Sequence, residues 1–163
     1  MKSTTRNYLI MVIIGILLGG LAVYDRMKPV EDTAQTANIA FTVPFKIHTL
    51  ESRDYVFHFT DRQPIEGTTY KEITVPENPT IMTENEIDDI RKQYIENDSA
   101  NHICGEIQSG NSEIIYTNDN GDSAQFKAVY HDRKTGETWS FTFSNMTVDE
   151  VVSIVQTIRK RVV

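Results

Sequence analysis

Residues 8–24, YLIMVIIGILLGGLAVY, carry no charge over seventeen consecutive positions and follow a short tail bearing Lys2 and Arg6. A run this apolar has to be buried in lipid or protein, so it restricts the chain more than any other feature. At 1.5 Å per residue it reaches the short end of the length needed to cross a hydrocarbon core, about 17–20 residues. Its flanks favour a membrane: a positive tail precedes it, Tyr24 supplies an interfacial aromatic, and Asp25-Arg26-Met27-Lys28 ends it abruptly. We read residues 8–24 as a transmembrane signal-anchor, residues 1–7 as a cytoplasmic tail, and everything beyond as exported. A cleavable signal peptide is the competing reading, because Gly20-Leu21-Ala22 places small residues where a signal peptidase cuts. It exports the same remainder. No cysteine lies near the end of the run, which excludes a lipid-modified N-terminus of the lipoprotein kind.

The remainder is long enough for one ordinary domain with its own core and too short for two. All 23 acidic residues lie in it, against 14 basic ones. Nucleic acid is therefore excluded as a partner, since affinity for phosphate backbones comes from clustered Lys and Arg. Cys104 is the only cysteine, so no disulfide forms within the chain and the core alone must hold the fold. That suits a domain of a bacterial envelope. Asn97-Asp98-Ser99 and Asn145-Met146-Thr147 match the glycosylation triplet, which arises often by chance.

Residues 25–38 are polar and aperiodic, and read as a linker. An α+β domain is expected over 39–163. Ile39, Phe41, Val43, Phe45 and Ile47 alternate with Ala40, Thr42, Lys46 and His48, the period of a half-buried strand. Pro44 lacks a backbone donor and predicts an edge or a bulge there. Tyr55, Phe57 and Phe59 predict a second strand, and residues 70–75 a third. The period then changes. Thr83-Glu84-Asn85-Glu86 is a capping box with Met82 and Ile87 as its hydrophobic staple, and Ile87, Ile90, Tyr94 and Ile95 give the helix that follows one apolar face, ending near Asn97.

The second half follows a similar plan. Residues 103–107 and 113–117 read as strands, and Asn118-Asp119-Asn120-Gly121 as a tight turn rather than a calcium loop, because the bidentate Glu of such a loop is missing. Ala124, Phe126, Ala128 and Tyr130 share a face of the next strand. A turn over 132–136 leads to Thr138-Trp139-Ser140-Phe141-Thr142-Phe143, with aromatic residues facing the core and hydroxyls facing water. Met146-Thr147-Val148-Asp149-Glu150-Val151 repeats the cap and staple, and duplication of a three-strand-then-helix unit is one explanation. Val151, Ile154, Val155 and Ile158 predict a last helix with Arg159-Lys160-Arg161 in its final turn, opposing the helix dipole or meeting anionic lipid headgroups.

For chemistry, His102, Cys104 and Glu106 are the strongest candidates, because alternate residues of a strand project from one face and an imidazole beside a thiol lowers its pKa. Three ligands with no fourth make an incomplete zinc site, so no metal and no cofactor are assigned. His48, His58 and His131 are scattered over different strands, and Asp54, Asp61 and Glu66 read as solvated loop acids rather than a glycosidase pair.

The expectation is a single-pass membrane protein: one N-terminal transmembrane helix, then a mainly antiparallel sheet with two packed helices outside the cytoplasm. Its partners are the lipid bilayer and another envelope protein. The function expected is non-catalytic interaction or assembly at the cell envelope. The alternatives are an exported thiol-dependent enzyme or hydrolase, or a secreted inhibitor or immunity-like protein released near Ala22.

Overall fold

The computed structural model describes residues 32–44, 56–59, 69–96, 101–119 and 122–161, with backbone only at 119 and 122–124. Glu31–Val163 forms one compact unit. The anchor expected over 8–24 lies outside the described residues, as do Phe45, Ile47, His48, Asp54, Asp61 and Glu66. Among the described residues no helix is long and apolar enough to cross a membrane.

The domain is α+β, as the changing periods predict, and the pairings among its described strands are antiparallel. Its described elements are β1 (Asp32–Gln35), β2 (Ile39–Val43), β3 (Val56–Phe59), β4 (Lys71–Thr74), β5 (Thr80–Ile81), α1 (Glu84–Ile95), β6 (Cys104–Ser109), β7 (Ser112–Asp119), β8 (Asp122–Asp132), β9 (Glu137–Ser144), α2 (Val148–Val155) and β10 (Arg159–Lys160). A small sheet runs β1-β2-β10. A large one runs β3-β4-β9-β8-β7-β6, with β5 pairing β9 farther along the edge that β4 occupies. Pro76 and Pro79 fall between β4 and β5, outside the paired residues, where no ladder donor is required.

The large sheet is covered differently on its two faces. On one face Phe126, Ala128 and Tyr130 of β8 and Trp139, Phe141 and Phe143 of β9 share a core with Phe41, Val43, Phe57, Phe59, Ile73 and the α2 residues Val151, Ile154 and Val155. Phe41 meets Phe57 edge-on at 5.4 Å and Phe141 at 6.0 Å between ring centres. Such pairs add about 0.5–1.5 kcal/mol beyond burial. The opposite face holds a smaller cluster of Ile87, Ile115 and Val129, closed by Met82, Ile90 and Tyr94. Thus α1 and α2 lie on opposite faces of the large sheet, an arrangement that two equivalent copies of one unit do not explain.

Both capping boxes form. Thr83 Oγ1 accepts from Glu86 N–H at 3.4 Å while Glu86 Oε2 accepts from Thr83 N–H at 2.7 Å. Thr147 and Glu150 do the same at 3.4 and 2.9 Å, and Glu150 also binds Lys71 Nζ at 2.6 Å, fastening the start of α2 to β4.

Four expectations are corrected. Asp32–Gln35, read as the end of a linker, is β1: it pairs with β2 and buries Ala34, a single apolar contact too sparse to show as a period. Strand β2 is not an edge strand, because it lies between β1 and β10; Pro44 sits one residue past the last pair, where no donor is needed. The last helix stops at Val155. Thr157 turns the chain by accepting from Thr42 N–H at 2.8 Å and donating to Ile154 O at 2.7 Å, so Arg159–Lys160 pairs with β2 as a strand instead of facing a helix dipole. Finally, the hydroxyl face of β9 is not uniformly wet: Ser140 and Thr142 are exposed, whereas Thr138 is buried.

Candidate functional site

Thr138 is buried because it belongs to a row that runs across the large sheet on the α1 face. The register places Gln108 opposite Glu113, Glu113 opposite His131, and His131 opposite Thr138. Glu113 is 0% exposed and His131 is 1% exposed, both on the strand phase opposite the aromatic core. A buried carboxylate needs compensating charge. Arg91, on α1, supplies one guanidinium 2.6 Å from Glu113 Oε2, and Arg133, in the β8–β9 turn, supplies another at 2.8 Å from the same oxygen. Glu113 Oε1 has no hydrogen-bond partner among the described residues. Arg91 also contacts Asp88, one helical turn back, and Glu106 of β6 at 3.5 Å.

Burial pushes the Glu113 carboxyl up, but the hydrogen bonds and charge of Arg133 and Arg91 outweigh it and hold the group below its ordinary range. Arg91 is also desolvated, yet Glu113, Glu106 and Asp88 together raise its affinity for its proton. Both charges are therefore present at neutral pH. The arrangement clamps α1 to the sheet through an ion cluster rather than through apolar contact alone.

His131 completes the site. Its Nδ1 lies 2.9 Å from Thr138 Oγ1, and the Thr138 hydroxyl donates to Gly136 O at 3.3 Å. A hydroxyl has one proton to give: when Thr138 gives it to Gly136 O, it accepts from Nδ1–H and the ring's lone pair falls on Nε2. Nε2 faces Glu84 Oε1, from the first residue of α1, at 3.8 Å. Gly136 adopts φ +73°, open to glycine without strain, which lets its carbonyl meet both Thr138 and Met82 N–H. Ligand atoms of Glu84, Glu113 and His131 all lie within 4.8 Å of one another.

The sequence trio behaves differently. Cys104 and Glu106 lie on the α1 face as alternation requires, but His102 precedes β6. Its Nε2 contacts Thr117 Oγ1 at 2.9 Å, Cys104 Sγ is 4.0 Å from Ile95 O, and Glu106 meets Arg91 and Gln108. Each member points to a separate neighbour, with no His–Cys hydrogen bond among the described residues. The sequence reading missed Glu84, Arg91, Glu113 and Arg133 and left His131 among scattered histidines. The one available signal was that His131 shares a strand phase with Val129, which puts both on the face opposite Tyr130 but does not state what covers that face.

A second location is an open groove of about 620 Å³ beside Ser112, Tyr130, Lys134 and Arg159. Its basic character is partly spent. Lys160 pairs with Glu137 and with Asp132 at 3.3 Å, and the Arg161 guanidinium donates to Thr36 O at 2.8 Å. The Arg159-Lys160-Arg161 run is thus largely a strand-locking device, with Arg159 exposed at the groove.

No protein-family model, no curated protein and no solved structure matches this chain.

Proposed function

We propose that this protein is a membrane-anchored, non-catalytic interaction module of the cell envelope. Residues 8–24 hold it to the bilayer, and its α+β domain outside the cytoplasm presents a sheet surface to another envelope protein. The observation that carries this reading is the unequal cover of the outer face. The helix α1 lies over the β6–β7–β8 part, while His58, Glu72, Thr74, Lys127, Ser140 and Thr142 on β3, β4, β8 and β9 remain half-buried or exposed. Side chains of mixed charge and hydroxyls on a rigid sheet suit recognition of a polar protein surface. Tethering both partners in one membrane raises their effective concentration and lets a modest interface serve. The dispersal of His102, Cys104 and Glu106 favours this reading over the thiol enzyme.

The test combines topology with contact in intact cells. Full-length chain carrying a C-terminal tag is expected in the membrane fraction, unshortened and digested by externally added protease. A photo-crosslinking residue at Thr142 is expected to trap one membrane-protein adduct that Ser140→Arg abolishes. A protected tag overturns the topology, and absence of an adduct at Thr142 overturns the surface.

A further inference from the structure

The row beneath α1 concentrates negative charge and lone pairs on one point. Both guanidiniums bind Glu113 Oε2, which leaves the buried Oε1 without a donor. The Thr138 hydroxyl occupies His131 Nδ1 at 2.9 Å, which leaves Nε2 as the ring nitrogen that faces Glu84. Within this group Glu84, Asp88, Glu106 and Glu113 stand against Arg91 and Arg133, an excess of two negative charges. Ligand atoms from two carboxylates and an imidazole lie within 4.8 Å of one another, close enough for one cation to be shared among them.

We propose that Glu84, Glu113 and His131 bind a divalent transition-metal ion of the zinc class. An imidazole among the ligands favours zinc, cobalt or nickel over magnesium or calcium, which take oxygen. Thr138 plays the part of the outer partner that such a histidine requires, holding Nδ1–H and presenting Nε2. Bonds of about 2.0–2.2 Å bring ligand atoms to roughly 3.3–3.5 Å from one another. Glu84 closes that gap, because its side chain is 62% exposed and free to change rotamer, while His131 and Glu113 are held by the sheet. Three protein ligands leave a fourth position for water or for a donor from a partner protein. Since Glu84 belongs to α1 and the other two to β7 and β8, the ion also joins helix to sheet.

The experiment uses purified full-length chain stripped with chelator, titrated with zinc chloride by calorimetry and by NMR of the histidine ring nitrogens. One zinc per chain is expected, with the His131 Nε2 resonance moving and Nδ1 keeping its proton. At a hundredfold excess over Kd, zinc should raise the Tm by about 8 °C. Glu84→Gln, on the exposed ligand, keeps the fold and weakens binding by about tenfold or more, whereas His58→Gln leaves it unchanged. Overturning results are equally specific. If the cation between these groups is a proton on Nε2, zinc gives neither saturable heat nor a change at His131. Binding undiminished in Glu84→Gln, or lost in His58→Gln, places the metal elsewhere.

Discussion

The two faces of the large sheet are held by different physics. Toward α2 and the small sheet, Phe41, Phe57, Phe141, Phe143 and Trp139 bury large apolar surfaces against one another. Toward α1, the apolar cluster is small, and Glu113 with Arg91 and Arg133 supplies the rest. Burial of apolar surface is non-directional and insensitive to pH, with about 25 cal/mol returned per Å². A buried ion pair is directional, recovers little beyond its desolvation cost, and depends on protonation. The first face therefore holds the domain together, and the second determines where one helix sits and under which conditions it stays there.

The sharpest way to break this contrast is to empty the aromatic face. Phe141→Ala is expected to cost about 3–5 kcal/mol by urea denaturation, through lost transfer energy and the cavity left between Phe41 and Phe143. A cost under 1 kcal/mol would show that the aromatic core is not the principal support.

A smaller, local and pH-dependent effect is expected on the other face. Arg91→Met should cost about 1–3 kcal/mol at pH 7, because it leaves Glu113 with a single compensating guanidinium. Amide exchange should rise in α1 before it rises in β8 or β9. The Glu113 carboxyl is held below its ordinary value of 4.5 in the folded protein, so its contribution is complete above that value and disappears as the pH falls through the depressed one. The wild-type advantage over Arg91→Met should accordingly shrink on acidification from pH 5 toward pH 3. A constant difference would mean that Arg91 acts by packing and not by charge.

The caps give the smallest test. Thr83→Ala and Thr147→Ala should each cost about 1 kcal/mol. With α2 seated in the main core, Thr147→Ala should lower global stability, whereas Thr83→Ala should appear chiefly as faster exchange in α1. Equal and global losses would merge the two faces into one cooperative unit.

Much of this domain was legible in one dimension. Alternation placed Phe57 and Phe59, Phe126 to Tyr130, and Trp139 to Phe143 on buried faces, because strand period is a local property of the backbone. The capping boxes located the starts of α1 and α2 for the same reason, since Thr, Glu and the amides between them lie within one turn. The helical period also misled. Val151, Ile154, Val155 and Ile158 fit one helix face, yet Ile158 is buried from a loop and Arg159–Lys160 completes the small sheet, because the edge of β2 offered its backbone a partner.

The sequence by itself determined the α+β class, the half-buried strands, the two helix starts, the lack of an internal disulfide and an apolar segment that calls for lipid or protein around it. Tertiary structure alone decided that α1 and α2 take opposite faces, that β2 is central, and that Glu84, Arg91, Glu113, His131 and Arg133 converge. Periodicity states which face a residue occupies but not what covers that face. Convergence depends on strand register and on the packing of α1, which join residues far apart along the chain and leave no periodic trace in it.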